Sequence, residues 1–437
     1  MQNKKVPILG LLDTAEKPFN FYFENYCATF MSVDKSYINL DEEFVFGRTI
    51  NGRDIAIYKG KSVLTFSGAH RLNTNAYIIS RGNMRLTNTA TFDTIEFRGG
   101  TLSKVFFYHA LKRVETHSTN RFCYDVEEDC ENWEFEVAGH KCEVIIGSAI
   151  AEHFGTDGVA ISNTDVRLVL KFSESQCLMN VFDHIGKIKD ILSIMTFRKN
   201  VGFDEIYIHR RDHLGISSQV FIKESQSFTE KHMMNNISFQ DLKEVMPKLL
   251  SVIYDTKDQK SSYEIGFLPS SDKEVYMIDN TKVRMICSAL ECELSFINDL
   301  APSEETNLQG LIKNIKHTVK VHRKGSHKLS AKTYDLIFSS VSNWSRSASD
   351  QFCELYHRFE EEMLILHPSE DFISDDDIGQ FVKYRNSITH GSFRVMDASI
   401  ATTAYTLSGL VYCAFLNRIG ISQEQILYLC KNRQLLK

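Results

Sequence analysis

Proline is scarce, 6 residues in 437, while phenylalanine (30) and tyrosine (17) are plentiful. A chain of that balance is not expected to carry long disordered linkers. The ten cysteines include no CxxC pair, which suits reduced, buried thiols. Basic charge does not dominate: the net charge is −6 and the pI about 6.2. That balance excludes a generally basic, nucleic-acid-coating surface, so any such contact must be a local patch. The N-terminal MQNKKVPILGLLDTAEKPF has too short an apolar run for a signal peptide, and Asp13 and Glu16 interrupt it. No stretch approaches the roughly 18 apolar residues of a membrane helix, so a soluble, cytoplasmic protein without membrane partners is expected. P-loop, dinucleotide-binding glycine and GxSxG motifs are all missing.

What is present divides in two. The length predicts two or three domains, and 43% hydrophobic residues suffice for their cores. The first half reads as β, with runs at Glu43–Phe46, Asp54–Tyr58, Ala76–Ile79, Thr94–Phe97, Cys142–Ile146, Val166–Phe172, Glu205–His209 and Gln219–Lys223. Turn signals at Asn51-Gly52, Gly99-Gly100 and Asp157-Gly158 separate them. One segment breaks the pattern: Leu178, Val181, Phe182, Ile185, Ile188, Ile191, Leu192 and Met195 recur at helical spacing. From about Phe239 the periods are nearly all helical. They predict helices over Phe239–Tyr254, Thr281–Leu300, Glu304–His322, Ser330–Trp344, Ser347–Leu366, Asp375–Thr389, Asp397–Arg418 and Ser422–Gln434. The reading is α+β: a β-rich domain over residues 1–230, then an all-α bundle over 231–437.

The segment KYRNSITHGS, residues 383–392, sits at one predicted helix end. Arg385 and His390 have four residues between them. In an unbroken helix, five steps turn the chain roughly 140° past a full circle, so the two would not share a face. Gly391 lies where a terminating glycine belongs, which releases His390 from the last turn. The negative end of the helix dipole favours imidazolium there, so the histidine suits proton transfer in both directions. Arginine suits a phosphate, because it is permanently charged and forks onto two oxygens. RNA carries its own nucleophile, the 2′-hydroxyl, so such a pair needs no metal to cut it. A single histidine falls short of an acid and a base, and a symmetric dimer would supply the second. With fifteen histidines and twenty arginines, roughly two Arg–His pairs at this spacing arise by chance. This is the only one in the chain, and its context distinguishes it: Asn386 follows the arginine and Gly391 the histidine.

RNSITH resembles the R-x4-6-H motif of HEPN domains, helical bundles of which many are metal-independent endoribonucleases acting as dimers with a composite site. The whole chain resembles the ApeA-like group, in which a β-rich domain precedes a HEPN domain. GRTINGRDIAIY (Gly47–Tyr58) resembles that group's opening pattern and CSALECELSF (Cys287–Phe296) the first HEPN helix. Ala56-Ile57 departs from the Thr-Leu common there, away from the motif. The resemblance implies a toxin-like antiphage abortive-infection effector that cuts RNA, tRNA among the candidates, once a phage trigger is sensed. It makes Arg385 and His390 catalytic, with Asn386 supporting the geometry.

Other residues complete the expectation. Lys313, Lys316 and Lys320 share one helix face, and Arg323 and Lys324 follow, with no acid between Glu305 and Asp335. They form either an electrostatic track for an RNA backbone or a solvated helix face. Glu291 either reaches Arg385 across the bundle and orients it or is simply exposed on its helix. Cys123, Cys130, His140 and Cys142 admit a zinc-site alternative, although their spacing matches no tight knuckle. His209, Arg210, Arg211 and His213 form either a phosphate or ligand contact or a surface turn. The expected cofactor content is none. The rival to the nuclease is an inactive HEPN bundle that docks RNA or dimerises.

Overall fold

The computed structural model describes residues 8–12, 19–31, 43–59, 62–66, 69–81, 85–106, 112–115, 122–125, 130–155, 158–210, 217–224, 226–254, 263, 265–297, 306–325, 329–342, 348–366, 373–391, 395–433 and 435–436. The chain divides into two compact units. The first comprises Met1–Asp255 with Ser270–Asp272; the second comprises Thr256–Pro269 with Lys273–Lys437. The class is α+β, a large antiparallel sheet in the N-terminal half and helices in the C-terminal half.

The strands of the first unit are β1 (Ile8–Leu12), β2 (Phe19–Glu24), β3 (Cys27–Met31), β4 (Phe44–Thr49), β5 (Asp54–Tyr58), β6 (Ser62–Phe66), β7 (Ala69–Asn73), β8 (Ala76–Arg81), β9 (Thr91–Arg98), β10 (Lys112–Glu115), β11 (Phe122–Asp125), β12 (Cys130–Val137), β13 (His140–Gly155), β14 (Gly158–Cys177), β15 (Glu205–His209) and β16 (Ser217–Ile222). Fourteen of them make one sheet in the order β12-β13-β14-β9-β15-β16-β8-β5-β4-β1-β2-β3-β7-β6, and β10 pairs with β11 apart from it. The predicted turn at Asn51-Gly52 joins β4 to β5, with Gly52 at φ +76°, a value that glycine adopts without strain. The unit's helices are α1 (Leu102–Val105), α2 (Val181–Thr196) and α3 (Met246–Tyr254). In α2 the helical period buries Val181, Ile185, Ile188, Ile191, Leu192 and Met195. Each such side chain contributes roughly 1.5–3 kcal/mol relative to exposure.

The unit boundary falls at Asp255, whereas sequence periodicity placed it at 230/231. The intervening chain packs on the sheet. Trp133 stacks on Phe239 and its Nε1–H donates to the Lys243 carbonyl at 2.9 Å. Phe135 meets the Tyr254 ring at 4.9 Å. Within the predicted helix Phe239–Tyr254, only α3 is α-helical.

The second unit holds α4 (Asn280–Leu294), α5 (Thr306–Lys324), α6 (Ala331–Ser342), α7 (Ala348–Arg358), α8 (Glu360–Leu366), α9 (Asp375–Thr389), α10 (Ala398–Ile419) and α11 (Gln423–Arg433). The predicted helix Ser347–Leu366 is broken at Phe359 into α7 and α8. At the unit's centre, α10 packs against α4, α7, α8, α9 and α11. Contrary to the sequence expectation, α10 is long and apolar enough to cross a membrane, but most of it is buried inside the unit, as in a core helix. Helices α5 and α6 pack chiefly on one another.

Candidate functional site

Helix α9 carries the Arg–His pair. Its start is a capping box: the Ser374 hydroxyl accepts from the Asp377 N–H, and the Asp377 carboxylate accepts from the Ser374 N–H at 3.0 Å. Hydrogen bonds from Ser374 hold the Asp377 carboxyl below its ordinary range. The acidic run Asp375–Asp377 therefore lies in the first helical turn, where the dipole favours it. Ile378, Phe381, Tyr384 and Ile388 form the buried stripe that seats α9, and α4, α7 and α10 pack against the helix.

The helix ends where glycine predicted it. His390 is the C-cap at φ −88°, ψ 13°, its N–H donating to the Asn386 carbonyl at 3.1 Å. Gly391 follows at φ +80°. The His390 side chain is exposed, and its imidazole engages no described residue.

Arg385, one turn earlier, is held from two sides. Its Nη2 donates to Glu291 Oε1 at 2.5 Å, and its Nη1 donates to Asn386 Oδ1 at 3.1 Å. Arg385 keeps a quarter of its side chain in solvent and Glu291 nearly half. Burial pushes the neighbouring Cys287 thiol up to about 12, with Arg385 opposing and Glu291 adding to the shift. That thiol is a packed, inert neighbour.

Two further positions of α4 set this geometry. Asn280 Oδ1 accepts from the Tyr384 hydroxyl at 2.7 Å. Arg284 Nη2 donates to the Ile388 carbonyl at 2.5 Å, answering one of the orphan acceptors at the end of α9. Sequence reasoning missed Arg284. Its only signal was the seven-residue step to Glu291, which puts both on one face of α4. The structure thus brings together Arg385, Asn386 and Glu291, with His390 at the same helix end and Arg284 bound two residues before it.

The basic residues are not drawn into this group. Lys313, Lys320, Arg323 and Lys324 are exposed and Lys316 partly so, all on α5. Arg323 lies 3.8 Å from Asp335 and over the Tyr334 ring, both on α6.

The zinc alternative fails on strand register. Cys130 pairs with Gly147 and Cys142 with Phe135, so five strand positions, about 17 Å, separate the two cysteines. Cys142 is buried, its thiol pushed up to about 12 by burial. The exposed His140 pairs with Glu174. Cys123 lies on the separate β10–β11 hairpin, and its side chain is outside the described residues. Among the described residues no group of three or more metal-ligating side chains occurs. His209 Nε2 lies 3.1 Å from Glu96, whose carboxyl stays near 2: burial raises it, but hydrogen bonds from His209 and Arg98 outweigh that. Arg211 and His213 lie outside the described residues. Comparison with family models, with curated proteins and with solved structures finds no match.

Proposed function

We propose that the chain is a HEPN-type endoribonuclease of the ApeA-like kind, a cytoplasmic antiphage effector. One observation carries the reading: at the terminated end of α9, an arginine is held by Glu291 and Asn386 while the His390 imidazole is left to solvent. In this reading the Arg385 guanidinium receives the non-bridging oxygens of the scissile phosphodiester. A histidine removes the 2′-hydroxyl proton, the 2′-oxygen attacks phosphorus, and the 5′-oxygen leaves with a proton from a second group. The ends are a 2′,3′-cyclic phosphate and a 5′-hydroxyl. A two-fold homodimer that sets two Arg–His pairs on one phosphodiester supplies both proton-transfer groups. Lys313, Lys316, Lys320, Arg323 and Lys324 would guide the RNA backbone, with tRNA a candidate substrate, and the first unit would sense the phage trigger. The chemistry calls for no metal or cofactor.

The test is RNA cleavage and growth arrest by His390→Ala beside the parent protein, with the RNA ends sequenced. Intact cleavage by the variant ends the nuclease reading. A second reading has its own support: both terminal nitrogens of Arg385 already have acceptors, and the cations of α5 stand exposed. In that case the bundle is an inactive RNA-docking or dimerisation module, and RNA binding persists without any cleavage in either protein.

A further inference from the structure

A second arginine reaches the end of α9 from outside the helix. Arg284 is exposed on α4, and its Nη2 donates to the Ile388 carbonyl at 2.5 Å. That acceptor lies three residues after Arg385 and two before His390. At about 1.5 Å of rise per residue, it is roughly 4.5 Å along the helix from the level of Arg385 and about 3 Å from that of His390. Arg284 is therefore tethered at a level between the two members of the pair.

Capping uses only part of this side chain. The last turn of α9 leaves carbonyls without intrahelical partners, and a cation there also meets the negative end of the dipole. A guanidinium carries five N–H donors, and one of them answers the Ile388 carbonyl. Among the described residues, no carboxylate and no second acceptor meets Arg284.

Arg385 is held differently. Its Nη2 is on Glu291 and its Nη1 on Asn386, so two partners aim it. Arg284 is fixed by one N–H at another point of the same helix end. A nucleotide strand offers a phosphate at every link, and two cations held at separate points match consecutive links. Both can fork onto phosphate oxygens.

We propose that Arg284 is a second substrate-binding residue of this site, receiving the phosphate next to the scissile one. The inference rests on the nuclease reading above and narrows its substrate to RNA with at least two consecutive phosphodiesters. A dinucleoside monophosphate, which has only one, is then a poor substrate whatever its bases.

The probe is a single-stranded octanucleotide carrying the step that the parent cuts, with a 2′-deoxy sugar there to block cleavage. Its binding is measured across salt concentrations for the parent, Arg284→Gln and Arg284→Lys, each variant checked for parent-like circular dichroism. Glutamine keeps an N–H donor for the Ile388 carbonyl but loses the charge; lysine keeps the charge. Arg284→Gln is expected to weaken binding about tenfold and to flatten the salt slope by about 0.7. Arg284→Lys is expected to keep the parent slope. A residue that only capped α9 would leave both slopes at the parent value. On the parent, a neutral methylphosphonate at one flanking link is expected to cost the same affinity, and Arg284→Gln to lose nothing further by it. With all-ribose substrates, Arg284→Gln is expected to lower kcat/KM for the octanucleotide and not for the matching dinucleoside monophosphate. Equal loss on both substrates would put Arg284 on the scissile phosphate and overturn the assignment. If Arg284→Gln does not fold, the methylphosphonate series on the parent decides: a loss at one flanking link supports the site, and no loss at either refutes it. Failure of the nuclease reading has its own signature, a parent that binds the all-ribose octanucleotide without cutting it, and the proposal falls with it. Cutting by the parent with affinity and slope unchanged in Arg284→Gln sinks the proposal alone.

Discussion

Glu291 and Glu293 stand two positions apart on α4, so about 200° of helix rotation separates them. Each binds an arginine from another helix, yet the two pairs have little else in common. Glu293 is 3% exposed and takes both Nε and Nη2 of Arg418, at 2.7 and 2.8 Å. Arg418 lies over the Phe296 ring at 4.2 Å, which closes the pair off from water. Burial pushes the Glu293 carboxyl up, with Arg418 opposing. Glu291 meets Arg385 through one short hydrogen bond at the surface. A buried pair cannot lose one member cheaply, whereas an exposed one can, and only the exposed arginine is available to a ligand. The difference teaches where this bundle keeps structure and where it leaves chemistry free.

The comparison is broken most severely at Glu293. Glu293→Ala strands a mostly buried guanidinium and is expected to cost about 3–5 kcal/mol in urea-melt stability. A loss under about 1 kcal/mol would mean that Arg418 finds water, and the contrast would vanish. The opposite signature belongs to Arg385. Arg385→Ala is expected to leave the melt within about 1 kcal/mol of the parent while lowering RNA cleavage by about 10²–10³-fold, the usual cost of one transition-state donor. Loss of both together would make Arg385 a structural residue like Arg418.

Another buried titratable group has no hydrogen bond among the described residues. His184 in α2 is 3% exposed, neither ring nitrogen has a hydrogen-bond partner there, and the Phe172 ring lies 4.5 Å away. Burial pulls its pKa from 6.5 down to about 4, with Asp183 opposing and Lys187 adding. Below pH 6.5 the unfolded chain takes a proton that the folded chain refuses. Stability is therefore full above that pH and falls as the pH drops towards about 4, by up to about 3 kcal/mol for this group. Chemical melts of the parent and His184→Phe between pH 7 and 4 isolate it. The variant is expected to lack that share of the acid loss, and equal slopes would show that the parent imidazole titrates freely.

Local pattern carried much of this architecture. Asp375–Thr389 reads as a helix because its cap, its apolar stripe and its terminating glycine agree, and α9 has those bounds. Strands β5 and β15 were equally legible. Strand β12 was not, because CENWEFEV sets only Trp133 and Phe135 inward among glutamates. Nor could the sequence say which unit residues 239–254 join, since an amphipathic stretch does not name its partner. The contact between Glu291 and Arg385 was foreseeable from two long side chains of opposite charge on neighbouring helices. Arg284 was not, because its acceptor is a backbone carbonyl. The cysteine spacing, which matches no tight knuckle, falls on paired strands that carry Cys130 and Cys142 apart.

The smallest expected effect sharpens the comparison most, because it asks what the exposed carboxylate does. If Glu291 orients Arg385, Glu291→Ala lets the guanidinium swing and lowers kcat by about tenfold, with stability changed by less than about 1 kcal/mol. Glu291→Gln keeps an acceptor oxygen at the same reach and is expected to recover most of that loss, with KM unchanged in both. A merely structural pair would behave differently, with cleavage following the melt and glutamine rescuing neither. Faster cleavage by Glu291→Ala would sink the orienting role outright, since the carboxylate would then be a competitor of the scissile phosphate for the Nη2 donor of Arg385.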